Sequence, residues 1–280
     1  MIRKVFAVIA ALFLSAASGI SAGNEADPSV LSLYAVNVRK ADALLLRCGK
    51  SAYLIDTGTE DSVPFLLGVL EKEGATHLDG IILTHTHKDH AGGLAWLLES
   101  GIEADHVYAS AFYNMKEKKH PAVKALKDTG RDVEWLRSGD SLPLDGGTLD
   151  VLGPRVPNED AENCNSLVLL ASGGGGTMLL TGDMEFPEEN DLIAAGLIPH
   201  ADVLKVANHG ESDATGEALV KAVSPAAAVI STNTDDEPDT PSARVMKLLK
   251  KYGIPVYQTQ ETENGVLISL QDGKISAEYR

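Results

Sequence analysis

Short apolar runs alternate with segments of helical spacing along most of the chain. Apolar runs bounded by turn residues predict strands over residues 30–38, 44–48, 52–56, 80–84, 106–109, 133–136, 141–144, 148–152, 166–171, 177–181, 202–206, 226–230, 256–259, 265–270 and 274–278. Helical spacing predicts helices over residues 62–73, 94–99, 115–127, 188–195, 215–223 and 241–252. Because both halves mix strands with helices, the pattern favours an α/β fold built in layers.

The amino-terminal segment has a different pattern. Two basic residues, Arg3 and Lys4, precede an apolar run over residues 5–14 and then a series of small residues. This layout predicts a secretory signal peptide over residues 1–22, and the apolar run is too short to span a membrane. We therefore expect a secreted or periplasmic protein with no membrane span once the signal is removed. No linker or low-complexity tract divides the remainder, so residues 23–280 are predicted to form a single domain.

The charge balance limits the class of partner. The chain has 40 acidic against 24 basic residues, and its formal net charge is −16. A protein that grips a duplex along its length normally presents a broad basic face, so we expect no stable duplex nucleic-acid partner. The lysine-rich stretch 116–127 around His120 could hold a phosphate over the site, but a solvated helix face is the favoured interpretation.

Four predicted strands are followed by an aspartate or a histidine. Asp56, His85, Asp183 and His209 each come shortly after an apolar run. In α/β proteins functional side chains gather at the carboxyl ends of strands, where they converge without disturbing the core. Imidazole and carboxylate donors together suit zinc, manganese or iron, so this set predicts a metal site.

The stretch 81–93, IILTHTHKDHAGG, contains three histidines and an aspartate within six positions. His85 and His87 lie two residues apart in extended backbone, so they point the same way and are predicted to bind one ion. Asp89 and His90 follow as the chain turns into a helix, and they are predicted to serve a second ion.

Two more residues complete the predicted centre. Asp183 is expected to bridge the two ions, and His209 to complete the second. Asp56 is expected to orient a ligand histidine rather than to bind metal itself. Taken singly, Asp89 as a helix cap and Asp183 as a turn residue are equally good interpretations. The remaining histidines outside the lysine-rich stretch are interpreted as surface or packing residues: His77, His106 and His200.

The sequence from His85 to His90 resembles the HxHxDH signature of the metallo-β-lactamase superfamily. Within that superfamily it is similar to the ComEC-type extracellular hydrolase domain. Matching stretches follow in the same order over residues 38–46, 54–58, 83–93, 165–169, 179–183, 204–210 and 256–259. The resemblance implies a four-layer αβ/βα sandwich with two mixed β-sheets and a metal-dependent hydrolase.

The chain departs from the pattern of this branch at several positions. Arg39-Lys40-Ala41 replaces a Gly-Gln-Gly, and Asn208 replaces the first of two paired histidines. Many members also place a histidine between the signature and the bridging aspartate, and no histidine of this chain follows a strand in that interval. Cys164 and Asn165 are the candidates for the open position on the first metal, which is otherwise left to water.

The leading interpretation is a secreted hydrolase that uses one or two divalent ions, with zinc favoured and manganese as the alternative. The ions would lower the pKa of a bound water, and Asp89 and Asp183 are the predicted catalytic residues. The resemblance implies a phosphoester or phosphodiester substrate, and the acidity favours a small molecule or short oligonucleotide. Two alternatives stay open, namely a lactonase or β-lactamase acting on an acyl group, and a non-catalytic binding relative with a degenerate site.

Overall fold

The computed structural model describes Asp27 and residues 30–280. The predicted signal peptide, residues 1–22, lies outside the described residues. Within the described part of the chain, no helix is both long and apolar enough to cross a membrane.

Fifteen strands and seven helices are present in the described part of the chain. The strands are β1 (Val30–Val36), β2 (Leu44–Cys48), β3 (Ser51–Ile55), β4 (His77–Leu83), β5 (Glu103–Ser110), β6 (Glu134–Leu136), β7 (Ser141–Leu144), β8 (Gly147–Gly153), β9 (Val168–Gly173), β10 (Gly176–Leu180), β11 (Val203–Lys205), β12 (Ala227–Ile230), β13 (Val256–Gln258), β14 (Gly265–Gln271) and β15 (Lys274–Tyr279). The helices are α1 (Val63–Lys72), α2 (Lys88–Ala91), α3 (Leu94–Glu99), α4 (Pro121–Ala125), α5 (Phe186–Ala194), α6 (Glu217–Val223) and α7 (Ala243–Lys251).

The strands form two mixed sheets. The first has the order β15-β14-β1-β2-β3-β4-β5-β6, and the second has the order β13-β12-β11-β10-β9-β8-β7. In the first sheet the strands from β3 to β6 are parallel, and in the second the strands from β10 to β13 are parallel. Each sheet therefore has a set of parallel strands whose carboxyl ends lie on one edge, where functional side chains can converge.

The two sheets pack face to face with helices outside. A core of apolar side chains from both sheets, including Leu33, Ile55, Leu169 and Met178, fills the space between them. The outer face of the first sheet buries α1 and α3, and that of the second buries α5, α6 and α7. The predicted fold, a four-layer αβ/βα sandwich with two mixed sheets, is confirmed.

Two predicted elements differ from the structure. The helix predicted over residues 115–127 is reduced to α4, which begins at Pro121 with the His120 side chain accepting the Ala122 N–H at its amino end. Proline is favoured in the first turn of a helix and disfavoured inside one, which explains why the helix begins there. His106, expected to begin its strand, lies in the middle of β5 because that strand starts at Glu103.

Candidate metal centre

The loop between β4 and α3 brings the signature residues to the edge where the sheets meet. His85 and His90 are buried, at 1% and 0% exposure, while His87 is exposed. The backbone of Thr57 donates to the His90 carbonyl at 2.6 Å, which ties this loop to the loop after β3. Gly93 permits that approach, since a Cβ atom there would overlap the Thr57 carbonyl oxygen. This close approach accounts for the glycine.

The second sheet supplies one carboxylate that lies at the middle of the cluster. Asp183 follows β10, and its Oδ2 atom lies 3.1 Å from His90 Nε2, 3.6 Å from His209 Nε2 and 3.9 Å from His85 Nε2. His209 follows β11, and its Nε2 atom is also 3.6 Å from Asp89 Oδ2. Both sheets therefore contribute donor atoms to one cluster around Asp183 Oδ2, which we call the focus.

The donor atoms form two subsets that share Asp183. His85 Nε2 and His87 Nδ1 face each other at 3.1 Å. Two ligands of one tetrahedral zinc ion, each at about 2.0–2.1 Å, lie roughly 3.3 Å apart, so this spacing fits a shared ion. The other subset is a group of donor atoms that all lie within 4.8 Å of one another, from Asp89, His90, Asp183 and His209.

Unpartnered buried atoms show that the cluster fits a divalent cation. Asp183 Oδ1 and His209 Nε2 are buried and have no hydrogen-bond partner in the described structure. Leaving such atoms without a partner is costly in a protein interior, and a bound cation would satisfy both. Imidazole nitrogens with carboxylate oxygens are a donor set that zinc and manganese accept.

The other ring nitrogen of each buried histidine is held by a neighbour. His85 Nδ1 lies 3.1 Å from the Thr84 hydroxyl, His90 Nδ1 lies 2.8 Å from Asp56 Oδ2, and His209 Nδ1 lies 2.9 Å from the Ser231 carbonyl oxygen. Such contacts fix the tautomer and the ring orientation of metal-binding histidines. All three Nε2 atoms are thereby turned toward the focus.

Asp56 lies behind the His90 ring. It is fully buried, has a positive φ of 59°, and accepts hydrogen bonds from the Thr84 N–H and hydroxyl, both at 2.7 Å. Its remaining contact is with His90, and it lies on the side of that ring opposite Asp183. Asp56 therefore orients the histidine instead of joining the focus.

A second acid and histidine cluster lies behind His90, and sequence reasoning missed it. Asp42, Asp56 and His90 place donor atoms within 4.8 Å of one another. The fully buried Lys205 puts its Nζ atom 2.7 Å from Asp42 Oδ2 and donates to the Val206 carbonyl oxygen. This cluster contains its own cation, so we do not assign a metal to it. The signal in the sequence was a lysine within the apolar run of β11.

The electrostatics of the centre follow from burial and opposite charges. Burial alone opposes the protonation of His90, but the carboxylates of Asp183 and Asp56 outweigh it and raise its pKa well above the usual value. Burial likewise works against ionisation of Asp183, yet His90 and His209 hold its pKa well below the ordinary range. Burial keeps the pKa of His85 well below its usual value, which leaves a neutral imidazole able to coordinate.

Cys164 and Asn165, the candidates for the open position on the first metal, contact other groups, and so does Asn208. The Cys164 sulfur lies 3.8 Å from Glu185 Oε2, and the Asn165 side chain is engaged by Asn158 and Glu162. The Asn208 side chain donates to Asp213 at 3.3 Å. Among the described residues, Cys164 belongs to neither cluster of histidine, cysteine and acidic donors. The subset of His85 and His87 therefore receives no third donor from them.

The remaining histidines lie outside the centre. His77, His106 and His200 are largely exposed, with side-chain exposures of 60%, 48% and 63%. His120 is buried against Tyr113 and Trp135, and desolvation lowers its pKa to about 4. These placements match the surface interpretation of the first three.

Comparison with known proteins agrees with this geometry. The sequence model of the metallo-beta-lactamase superfamily matches residues 36–234. The chain is 31% identical over 225 residues to ComE operon protein 3 of Bacillus subtilis (strain 168), covering 78% of this chain and 29% of that relative. It is 30% identical over 221 residues to Recombination protein 2 of Haemophilus influenzae, covering 77% of this chain and 26% of that relative. The chain thus spans less than a third of the length of these two relatives.

Among solved structures, the metallo-beta-lactamase fold protein YhfI from Bacillus subtilis superposes with a TM-score of 0.59. The match covers 86% of this chain and 99% of YhfI at 14% identity. A likeness at this level of identity concerns the fold alone, and it agrees with the two-sheet sandwich.

Proposed function

The chain belongs to the metallo-beta-lactamase superfamily, and from that premise we propose that it is a divalent-metal-dependent hydrolase of phosphoester or phosphodiester bonds. The observation that carries the proposal is the position of Asp183. Its Oδ2 atom lies within 3.9 Å of three histidine Nε2 atoms, and its Oδ1 atom is buried without a partner. A carboxylate in that position suits a cation on each side of it.

The residues that would hold the ions are those at the focus. His85 and His87 would bind one ion, Asp89, His90 and His209 the other, and Asp183 would contact both. When bound, such ions act as Lewis acids and lower the pKa of a coordinated water. Zinc is the favoured metal, and manganese is the alternative.

The chain's own residues supply orientation and proton handling. The Asp89 side chain is 24% exposed, so one face of this carboxylate is open to an incoming molecule. The histidines His209 and His90 hold the pKa of Asp89 well below its ordinary value despite burial, so it is a carboxylate at neutral pH. In that state it can only accept hydrogen bonds, which allows it to orient an attacking water.

The substrate class rests on two further observations. One relative is named a recombination protein, and recombination acts on DNA, whose backbone is a phosphodiester. The formal net charge of −16 disfavours tight association with a long polyanion. We therefore propose a small phosphoester or a short oligonucleotide, and, from the pattern of residues 1–22, a secreted or periplasmic location.

The test is a panel of metals and substrates. Metal-free protein is supplemented with zinc or manganese and assayed on bis(p-nitrophenyl) phosphate, a dinucleotide, an acyl-homoserine lactone and a β-lactam. Metal content is measured alongside for wild type, His87→Ala, Asp183→Ala and the exposed control His77→Ala. We expect phosphodiester turnover that only the first two substitutions abolish.

Other results would redirect the assignment. Turnover of the lactone or the β-lactam without the phosphodiesters would favour an acyl hydrolase. Less than one ion per chain after supplementation would favour the non-catalytic alternative. Activity unaffected by both substitutions would remove this site from the reaction.

A further inference from the structure

A cleft of about 490 Å³ opens beside the metal centre. Its walls are residues 37–40 after β1, residues 59, 61, 62 and 65 around the start of α1, and Asn233 and Asp236 after β12. We call this space the flanking cleft. It combines two cationic side chains, Arg39 and Lys40, and two acidic ones, Asp61 and Asp236, with hydroxyl and amide groups and one aromatic ring. Charged and polar groups around an apolar surface are typical of sites for polar organic ligands.

Lys40 lies between the flanking cleft and the metal centre. It lines the cleft, and its Nζ atom lies 2.7 Å from Glu211 Oε1, two residues after His209. Burial opposes the charge, but Glu211, Asp89 and Asp183 outweigh it and raise the pKa of Lys40, so the ammonium keeps its proton. The side chain is only 19% exposed, so its position is restricted.

The neighbouring Arg39 adds a second cation in an unfavourable backbone conformation. Its φ is 68°, in the left-handed region that glycine adopts easily and arginine seldom does. This is the segment where the chain has Arg39-Lys40-Ala41 in place of a Gly-Gln-Gly. The chain therefore has a cationic side chain at a backbone conformation that glycine adopts more easily, directly before the second cation, Lys40.

Both cations are paired in a way that leaves donors available. Arg39 forms an ion pair with Asp236 on the exposed rim of the flanking cleft. Lys40 uses one contact with Glu211, while an ammonium carries three N–H donors. A phosphate offers more charge and more acceptor oxygens than one carboxylate, so it can replace Glu211 as the partner of Lys40.

We propose that Lys40, assisted by Arg39, binds a phosphate group of the substrate next to the one that is hydrolysed. The proposal rests on the proposed function and deepens it, because it assigns the flanking cleft to a second anionic group. The substrate class becomes an ester that carries a terminal phosphate beside its phosphodiester linkage. The Phe65 ring offers an apolar surface for the organic part between the two groups.

The experiment separates binding from hydrolysis. Two dithymidine analogues whose cleavable P–O bond is replaced by a P–C bond, one with and one without a 5′-terminal phosphate, are titrated into zinc-loaded protein by calorimetry. We expect wild type to bind the phosphorylated analogue about tenfold more tightly, because hydrogen bonds to charged groups are among the strongest.

Variants assign the effect to residues. Lys40→Ala should lose the preference for the phosphorylated analogue, and Arg39→Ala should reduce it. Glu211→Gln removes the competing carboxylate and should increase the preference, which gives a test even if Lys40→Ala folds poorly. Lys127→Ala, an exposed lysine outside the flanking cleft, should leave the preference unchanged.

Two results would overturn the assignment: equal affinity of wild type for the two analogues, or a preference that Lys40→Ala retains while Glu211→Gln has no effect. Hydrolysis of the natural dinucleotides is measured in parallel. If neither is cleaved under any metal, the proposed function fails, while the binding result still decides whether the flanking cleft takes a phosphate.

Discussion

The two sides of the His90 ring carry buried acidic groups, yet only one side is suited to a metal ion. On the front, His90 Nε2 faces Asp183, whose other oxygen has no partner. On the back, Nδ1 faces Asp56, and Asp42 lies 4.0 Å away in an ion pair with Lys205. The back already contains the ammonium group of Lys205, whereas the ion pairs of Asp183 and Asp89 on the front are with histidines, and no described lysine or arginine pairs with either carboxylate.

The comparison shows what distinguishes a metal site from a structural cluster of acids and histidines. Buried carboxylates need a compensating cation or donors. Asp56 obtains donors from Thr84 and His90, and Asp42 obtains a cation from Lys205. Asp183 Oδ1 and His209 Nε2 have no hydrogen-bond partner in the described structure, and neither have the two side-chain oxygens of Asp42, but Asp42 has the Lys205 ammonium 2.7 Å away. Residue types and unpartnered atoms do not separate the two clusters, but the buried lysine beside Asp42 does.

The largest effect is expected from Asp183→Asn, which removes the front carboxylate shared by both subsets. An amide keeps the shape but loses the charge, so metal content should fall and kcat/KM should drop by about a thousandfold or more. Metal analysis and steady-state kinetics measure the two losses. Asp191→Asn, at an exposed ion pair with Arg155, is the matched control. Retention of full metal content would remove the distinction between front and back.

The substitution Lys205→Met tests the ion pair behind the His90 ring, because it removes the buried ammonium group and leaves the Asp42 carboxylate without its partner. Breaking a buried pair on one side costs about 3–5 kcal/mol in the free energy of unfolding. Urea unfolding of metal-free protein measures it. The double variant Lys205→Met, Asp42→Leu should recover most of the loss, since no charge then stays buried alone. A single substitution that costs nothing would show that Asp42 is not ionised in the folded protein.

A smaller effect is expected from Asp56→Asn, which acts on the metal only through His90. Substituting a partner that orients a metal-binding histidine typically lowers metal affinity about 10–100-fold. Competition with a chelator gives the affinity, and Asp79→Asn, at a partly exposed aspartate beside β3, serves as the control. An effect as large as that of Asp183→Asn would mean that Asp56 binds the ion directly.

Much of this arrangement could be predicted from local sequence. Residues at strand exits converge because parallel strands end on one edge, so the sequence predicts that Asp56, His85, Asp183 and His209 lie close together. The strands themselves were predicted to within a few residues because apolar runs bounded by turns are a strong signal. Helix α3 has the predicted bounds, residues 94–99, because helical spacing is the corresponding signal for a helix.

What could not be predicted depends on contacts between distant segments. The pair of Asp42 and Lys205 joins the loop before β2 to β11, and no local pattern relates the two residues. Cys164 was considered as a metal ligand because it precedes a strand, but the short helical turn over residues 162–165 directs its sulfur toward Glu185. Side-chain direction at such a turn depends on backbone angles that the sequence does not reveal.

The smallest effect concerns the pH dependence of the metal-free protein, in which His90 carries a proton between Asp183 and Asp56. The pKa of His90 in the folded protein is raised above the value of about 6.5 for a histidine in the unfolded chain. Protonation of His90 therefore stabilises the fold, and this contribution is fully present below about pH 6.5. The contribution is lost as the pH rises through the folded-state pKa.

Metal-free protein should therefore lose stability between neutral and alkaline pH, measured as the urea midpoint at several pH values. With zinc bound, the ion replaces the proton on the front of the ring, so this loss should disappear. His200→Gln, at an exposed histidine, should preserve the behaviour of wild type in both states. An identical pH profile with and without zinc would mean that the ion does not reach His90, and the front of the ring would then resemble the back.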